Sequence, residues 1–524
     1  MNEDILKLVR EKGLLLERSI FEILDNFSDI RMAGVFLDNL ERASGQKMIT
    51  TSSLTRNFEF VSEVVKDLPG DTRSSVEKTF VKLGISLEVK KEISDRLKIN
   101  DVNGAREGMD YRVFYSTHDN TKKIEVSDFT GHFRARYQEI QKMLMHRPGM
   151  DKLISINKIS SKRDNFTIIG IVSDKRVTKN KNYIIKFEDL TGTINALVKF
   201  GSESFKDADE LQLDDIVAVR CSGNNELLFA HEIIYPDAFI DNKVMFDEDF
   251  SIAFVSDVHA GSKKHLREEF RRFVDWLNSD DETARKIKYI FFVGDNVDGV
   301  GVFPGQEGLL ELTSLRDQYE LLGSYLKKVP ERITMFMCPG QHDSVRVPEP
   351  QPVIDKYYGE ALYSIPNLVL VSNPSMVKLY EGDKEFKILM YHGASIHSLI
   401  NNISELRLMK AHRTPAKAVK HMLKRRHLAP QHSQVVYVPN AEKDPLVISE
   451  VPDVFCTGEV HRLDIERHNG VLIITGSCWQ AQTDFEEKVG NVPDPCKVPI
   501  LNLKSSELKI LDFGNEGVDY GGAV

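Results

Sequence analysis

The chain has 524 residues, 41% of them hydrophobic, a formal net charge of −10 and five cysteines. Three or four domains are expected at that length, taking roughly 150 residues per domain, and the acidic balance excludes a basic coat, so any nucleic-acid contact must come from local patches. The five cysteines (Cys221, Cys338, Cys456, Cys478, Cys496) form no CxxC pair, the N-terminus is charged, and no apolar run approaches the ~20 residues that span a bilayer. These features exclude a disulfide framework and a membrane partner, and the expectation is a soluble, reduced, cytoplasmic protein.

Residues 1–70 read as a helical module, with Ile5, Leu8 and Val9 and then Phe21, Leu24 and Phe27 at helical spacing. No catalytic grouping occurs there, so docking or packing is the expected role. From 71 to 127 the chain turns polar (DTRSS, DVNGAREG, THDNTKK) and reads as a linker. A helix is expected from about Asp128 through FRARYQEIQKMLMHR, stopped by Pro148-Gly149.

Between 150 and about 237, short β-rich runs (Phe166–Val172, Tyr183–Phe187, Gly192–Val198, Asp215–Arg220) alternate with turn residues at 179–182 and 189–192. Five or so strands in so short a stretch predict a small closed barrel of the OB type. Such barrels often bind single strands on aromatic side chains. Here Phe166, Tyr183, Phe187 and Phe200 are the few candidates, several should be core, and a structural role is at least as well supported.

After residue 245, strands alternate with helical stripes such as Leu266, Phe270, Phe273, Val274 and Leu277, read as core packing; the alternation predicts a layered α/β domain. Five apolar runs each end in ligand-type residues: SIAFVS before Asp257-Val-His259, YIFFVG before Asp295, ITMFMC before Gln341-His342-Asp343, FKILMY before His392, and DVFCTG before Glu459-Val-His461. Strand-end loops are where such folds present functional groups. Carboxylates and imidazoles in this series suit a pair of metal ions that clamp a phosphate, with a spare histidine as acid.

The strings SDVHAGSK, GDNVDGVGVFPGQ, PGQHD, YHGASI, KRRHLAP and TGEVHR resemble the calcineurin-like metallophosphoesterases and, more narrowly, the small subunit of the archaeal family-D DNA polymerase. The likeness is good over residues 128–513. It implies an N-terminal helical domain (1–70), the linker (71–127), a helix with an OB-like barrel (128–240) and an αββα phosphoesterase domain (245–524). It implies that Asp257, His259 and His461 hold one metal, that Asp295 bridges, and that Gln341, His392 and Glu459 serve the second. His342 would be the acid, oriented by Asp343. It further implies a 3′→5′ exonuclease using two divalent ions, Mn²⁺ first and Mg²⁺ as the alternative. The implied partners are a large catalytic polymerase subunit and DNA as a single strand or primer 3′ end; a sliding clamp is left open.

The chain departs from the family where Gln341 replaces Asn and Glu459 replaces the first His of Gly-His-x-His. The added methylene of Gln341 displaces its amide by roughly one bond length, ~1.5 Å. Glu459 is a harder, charged ligand that favours Mg²⁺ or Mn²⁺. A rebuilt second site and a structural subunit that scaffolds the polymerase without cutting are both consistent with these changes; a free-standing phosphoesterase is a third reading. Asp298 reads as a turn or outer residue, His265 and His397 as ordinary polar residues, and Cys456 and Cys478 as buried and inert. The basic run Arg407–His427 has three readings: a solvated helix face, a border of the cleft that attracts phosphates, or a docking helix.

Overall fold

The computed structural model describes residues 2–17, 20–21, 24, 33–34, 36–38, 47–49, 110–115, 123–148, 150–160, 163–489, 491–514 and 519–521. The chain divides into two units, residues 1–102 and 103–524. In the first, Ile5 and Val9 lie one turn apart and are buried on the helix Asn2–Glu11, as the 3.6-residue period predicts. Leu24 is buried too, and β1 (Leu15–Leu16) pairs in parallel with β2 (Met48–Ile49). Phe27 and most of the expected linker fall outside the described residues.

In the second unit, the expected linker contains a strand. β3 (Asp110–Tyr115) pairs antiparallel with β13 (Ser375–Glu381) at a sheet edge. Its alternation points Tyr111 inward, 5.0 Å from the ring of Phe336. Six residues among charged neighbours give a weak local signal, and the partner strand lies far along the chain. The helix Val126–Met145 follows, opened by a capping box between Glu125 and Asp128. It leans on the barrel, where Tyr137 donates to the Ile169 carbonyl at 2.9 Å.

The barrel closes in the order β4 (Arg163–Val177), β5 (Tyr183–Glu188), β6 (Thr193–Val198), β8 (Leu228–Ile234), β7 (Ile216–Gly223). Phe166, Tyr183 and Phe187 fill its core and Phe200 stays exposed.

The rest forms two facing sheets. One runs β12 (Leu368–Leu370), β11 (Thr334–Cys338), β10 (Ile287–Val293), β9 (Ser251–Val255), β18 (Lys497–Asn502), β19 (Leu508–Asp512), β20 (Asp519–Gly521). The other runs β16 (Asp464–His468), β17 (Val471–Thr475), β15 (Val454–Thr457), β14 (Lys384–Met390), β13, β3. Rings fill the space between them: Phe291 stacks on Phe254 at 5.5 Å and on Phe336 at 5.2 Å. On the outer face of the first sheet, Ala253, Val255, Ile290 and Phe292 pack with Phe270, Phe273, Val274 and Leu277 of the helix Arg267–Leu277. On the outer face of the second, Leu389, Phe455 and Ile473 pack with Val419 and Met422 of the helix Ala416–Arg425. Strands covered on both faces bury every residue, which is why β9 and β11 read as unbroken apolar runs.

The basic run 407–427 separates into two parts. Leu408 and Arg407 are exposed, whereas Lys424, Arg425, Arg426 and His427 turn inward. The Arg425 guanidinium meets Asp215 at 2.9 Å and the Glu210 carbonyl at 2.7 Å, and Lys424 reaches Glu210 at 2.6 Å. This end of the run therefore faces neither solvent nor a phosphate. Carboxylates on the barrel draw it in, and the charges join barrel to sheets. The five cysteines are buried and unpaired, and burial pushes Cys338 and Cys478 up to about 12. Among the described residues no helix is long and apolar enough to cross a membrane.

Removing one partner of a buried pair leaves an uncompensated charge. Arg425→Ala is expected to cost about 3–5 kcal/mol in denaturant unfolding, and Arg425→Met combined with Asp215→Leu much less. Equal costs for the two variants would show that the pair does not join the domains in this way.

Candidate metal centre

All five loops that carry the motif residues leave the carboxyl ends of mutually parallel strands. β9, β10 and β11 are parallel neighbours in one sheet, and β14 and β15 in the other, so the loops meet across the top of the sandwich. Each turns sharply. Asp257, His259, Asp295, Glu459 and His461 all have positive φ, between 46° and 72°, a region non-glycine residues rarely enter and one that collects at functional sites. Gly340 provides room: a Cβ there would lie 2.2 Å from Asp295 Oδ1 and 2.7 Å from His392 Cδ2.

Behind each imidazole stands an acceptor for Nδ1. His259 meets Asp298 Oδ1 at 3.0 Å, His461 meets Glu486 Oε1 at 3.0 Å, His392 meets the Val293 carbonyl at 3.0 Å, and His342 meets the Asp298 carbonyl at 2.6 Å. With Nδ1 committed to an acceptor, every Nε2 points into the cleft and offers a lone pair once its proton is lost. Nε2 of His259 and Nε2 of His461 face each other at 3.0 Å. Two lone pairs at that distance repel unless a proton or a cation lies between them.

The carboxylates complete the cluster. Asp257 Oδ1 is 3.5 Å from His461 Nε2. Asp295 Oδ2 is 3.3 Å from His392 Nε2 and 3.9 Å from both His259 Nε2 and His342 Nε2, a central position among the imidazoles. Glu459 Oε2 approaches His392 Nε2 at 3.2 Å. Asp257 Oδ2 and Gln341 Oε1 are buried without hydrogen-bond partners, and such orphans fit a cation. Asp257/His259/His461 and Asp257/Asp295/His392 form groups whose ligand atoms lie close enough to hold one. A third group, His259/Asp298/His342, shares that spacing, but Asp298 sits behind His259 and serves to orient it.

Charges in the cluster shift one another. Burial opposes a proton on His392 and His461, yet Asp295 and Glu459 hold the first, and Asp257 and Glu486 the second, well above the usual imidazole range. Burial likewise opposes charge on Asp295, but His392, His342 and His259 hold it well below the usual carboxylate range.

His342 is partly exposed at the mouth of the cleft, 22% against 0% for His392. Its amide donates to Asp295 Oδ1 at 2.9 Å, and its ring is held by Asp298. Asp343 does not orient it. That carboxylate accepts from the Asn296 amide (3.1 Å) and side chain (3.0 Å), the Gly340 amide (2.9 Å) and the Tyr319 hydroxyl (3.0 Å). It splints the loops after β10 and β11, and burial raises its pKa.

His397 is more than a surface residue. Its Nε2 lies 3.7 Å from Glu459 Oε1 and its ring stacks on His412 at 5.3 Å. His265 is buried among Phe270 and Tyr325. Asp298, expected as a turn or outer residue, holds His259 and His342 from behind; Asn296, in the same GDNVDG string, could have been read as a support. Glu486, on the short helix Asp484–Val489, carried no signal beyond its charge.

Residues 252–463 match the DNA polymerase alpha/epsilon B-subunit family. The DNA polymerase II small subunit of Methanothermobacter thermautotrophicus is 35% identical over 523 residues, 98% of this chain and 100% of its own. That of Pyrococcus furiosus is 35% identical over 403 residues, 75% of this chain, and the aligned part spans 64% of the Pyrococcus protein's length. Among solved structures, Vps29 from Entamoeba histolytica complexed with Zn²⁺ covers 52% of this chain and 98% of its own at 14% identity and a TM-score of 0.26.

Two measurements test the electrostatics. His392 and His461 have raised pKa values, so at neutral pH a cation must displace protons and its affinity falls as pH falls. Calorimetric titration with Mn²⁺ in buffers of different ionisation enthalpy should show proton release, and Glu486→Gln should weaken binding about 10–100-fold; heat independent of buffer would contradict this. Glu349, buried beside Tyr391, is pushed by burial from 4.5 up to about 8. The folded state then binds the extra proton, so its contribution to stability declines as pH rises from about 4.5 through about 8. Glu349→Gln should flatten that part of the stability–pH curve.

Proposed function

This chain belongs to the family of archaeal DNA polymerase II small subunits, and on that premise we propose that it is a metal-dependent phosphodiesterase that removes nucleotides from DNA 3′ ends beside a large polymerase subunit. The observation that carries the reading is the pair of imidazole nitrogens facing each other at 3.0 Å, each with its Nδ1 committed to a carboxylate behind it. Ring nitrogens fixed from behind and turned on one another suit a cation between them, for which a protein that only scaffolds has no use.

Asp257, His259 and His461 would hold one ion, Asp295 would serve both, and Gln341, His392 and Glu459 would hold the other. Two divalent ions, Mn²⁺ first and Mg²⁺ as the alternative, would neutralise the phosphoryl oxygens and acidify water there. His342 is fixed by the Asp298 carbonyl with Nε2 toward the cleft. Burial opposes its charge, but Asp295 and Asp298 raise its pKa, so it carries a proton to give to the leaving 3′ oxygen. Asp343 acts indirectly by locking the loop on which His342 sits.

A scaffold that cuts nothing is the second reading, and the departures at Gln341 and Glu459 raise it; the placement of Gln341 does not decide it. Against it stands Glu459, whose carboxylate lies 3.2 Å from His392 and offers an oxygen where the family offers a nitrogen.

The purified chain should degrade labelled single-stranded and mismatched primer DNA from the 3′ end with Mn²⁺ or Mg²⁺, and His342→Ala should slow it about 10²–10⁴-fold. Silence in the native chain, with cutting restored by Gln341→Asn plus Glu459→His, would establish the scaffold instead.

A further inference from the structure

The loop between Asp298 and Leu310 exposes an apolar cluster at the lip of the cleft. Val300, Val302, Phe303 and Leu309 are each about 40% exposed, and the Phe303 ring lies 6.4 Å from the His342 ring at 64°. A contiguous apolar patch rimmed by polar groups is the kind of surface that takes a ligand.

The loop is braced from beneath. Two fully buried amides hold it: Gln306 accepts from the Val302 amide at 2.9 Å and donates to the Asp298 carbonyl at 2.7 Å, while Gln318 exchanges bonds with the amide and carbonyl of Gly299 at 2.9 and 3.0 Å. The Asp298 carbonyl is also the one that fixes His342, so platform and histidine share an anchor. Gly299 makes this closeness workable: at φ 77°, a Cβ there would sit 2.4 Å from the His342 carbonyl oxygen. Lys263 closes the far side, donating to the Gly308 carbonyl at 2.8 Å.

Resting on the function proposed above, we propose that Phe303 is a positioning residue on which the nucleobase of an unpaired DNA 3′ end stacks while its phosphodiester lies against His342. A base inside a duplex is covered on both faces by its neighbours and tied by pairing. A frayed or mismatched end frees one face for the ring. Rigid aromatic platforms bind bases in this way without regard to sequence. The lip would therefore favour unpaired ends over paired ones.

The test uses the full chain with Phe303→Ala and Phe303→Trp. In Mn²⁺, Phe303→Ala should raise KM for single-stranded DNA about tenfold with kcat nearly unchanged, in line with the loss of one base stack. Phe303→Trp should restore KM. A 3′-terminal abasic oligonucleotide should be cut alike by all three proteins. Fluorescence anisotropy of a labelled short oligo-dT, measured in chelator, should show the same order of affinity. That arm decides the question even if the native chain proves unable to cut. Unchanged KM and anisotropy in Phe303→Ala, or an equal loss on the abasic end, would overturn the proposal.

Discussion

Four histidines enter the cleft, and each is fixed from behind by an acceptor for its Nδ1. Asp298, Glu486 and two main-chain carbonyls do this work. A free imidazole can present either nitrogen and can rotate. One hydrogen bond at Nδ1 removes both freedoms and turns Nε2 into the cleft. The inward nitrogens are thus arranged before any ligand arrives, at the cost of burying four imidazoles and their carboxylates together.

That arrangement must be supported by the scaffold. The strands beneath are covered on both faces, by helices outside and by stacked aromatic rings between the sheets. Their ends can therefore hold five residues in left-handed backbone conformations that an open loop would relax. Asp343 and Tyr319 add a second support, tying the loop after β10 to that after β11. The central position of Asp295 follows from this bracing: its Oδ1 is held by the His342 amide, which leaves Oδ2 to face three imidazoles.

Buried charge is used in a second place with a different outcome. Arg425 against Asp215, and Arg136 against Asp444 at 2.6 Å, join the barrel and the helix Val126–Met145 to the sandwich. Each pair sits in a fully buried setting where either charge alone would be intolerable. These contacts specify how the pieces meet more than they add to stability. They also explain why the KRRHLAP string is distinctive while lying outside the cleft.

Local pattern made much of this legible. The apolar strand runs, the hairpin turns of the barrel and the ligand types at five strand ends are all written within a few residues of one another. Asp257, His259, Asp295, His392, Glu459 and His461 could be read as one cluster before any fold was known. What acts between distant residues could not. Glu486 behind His461, the Val293 carbonyl behind His392, the turning of Asp343 away from His342 and the edge strand Asp110–Tyr115 depend on partners with no fixed spacing. For Lys424 and Arg425 a solvated face, a cleft border and a docking helix all stayed open, because a charge run shows its partners only once carboxylates elsewhere fold against it. The sequence by itself determined which chemical groups the loops offer, since that follows from identity and period. Only the tertiary structure decided which way each group faces, because orientation is set by contacts that exist only once the chain has closed on itself.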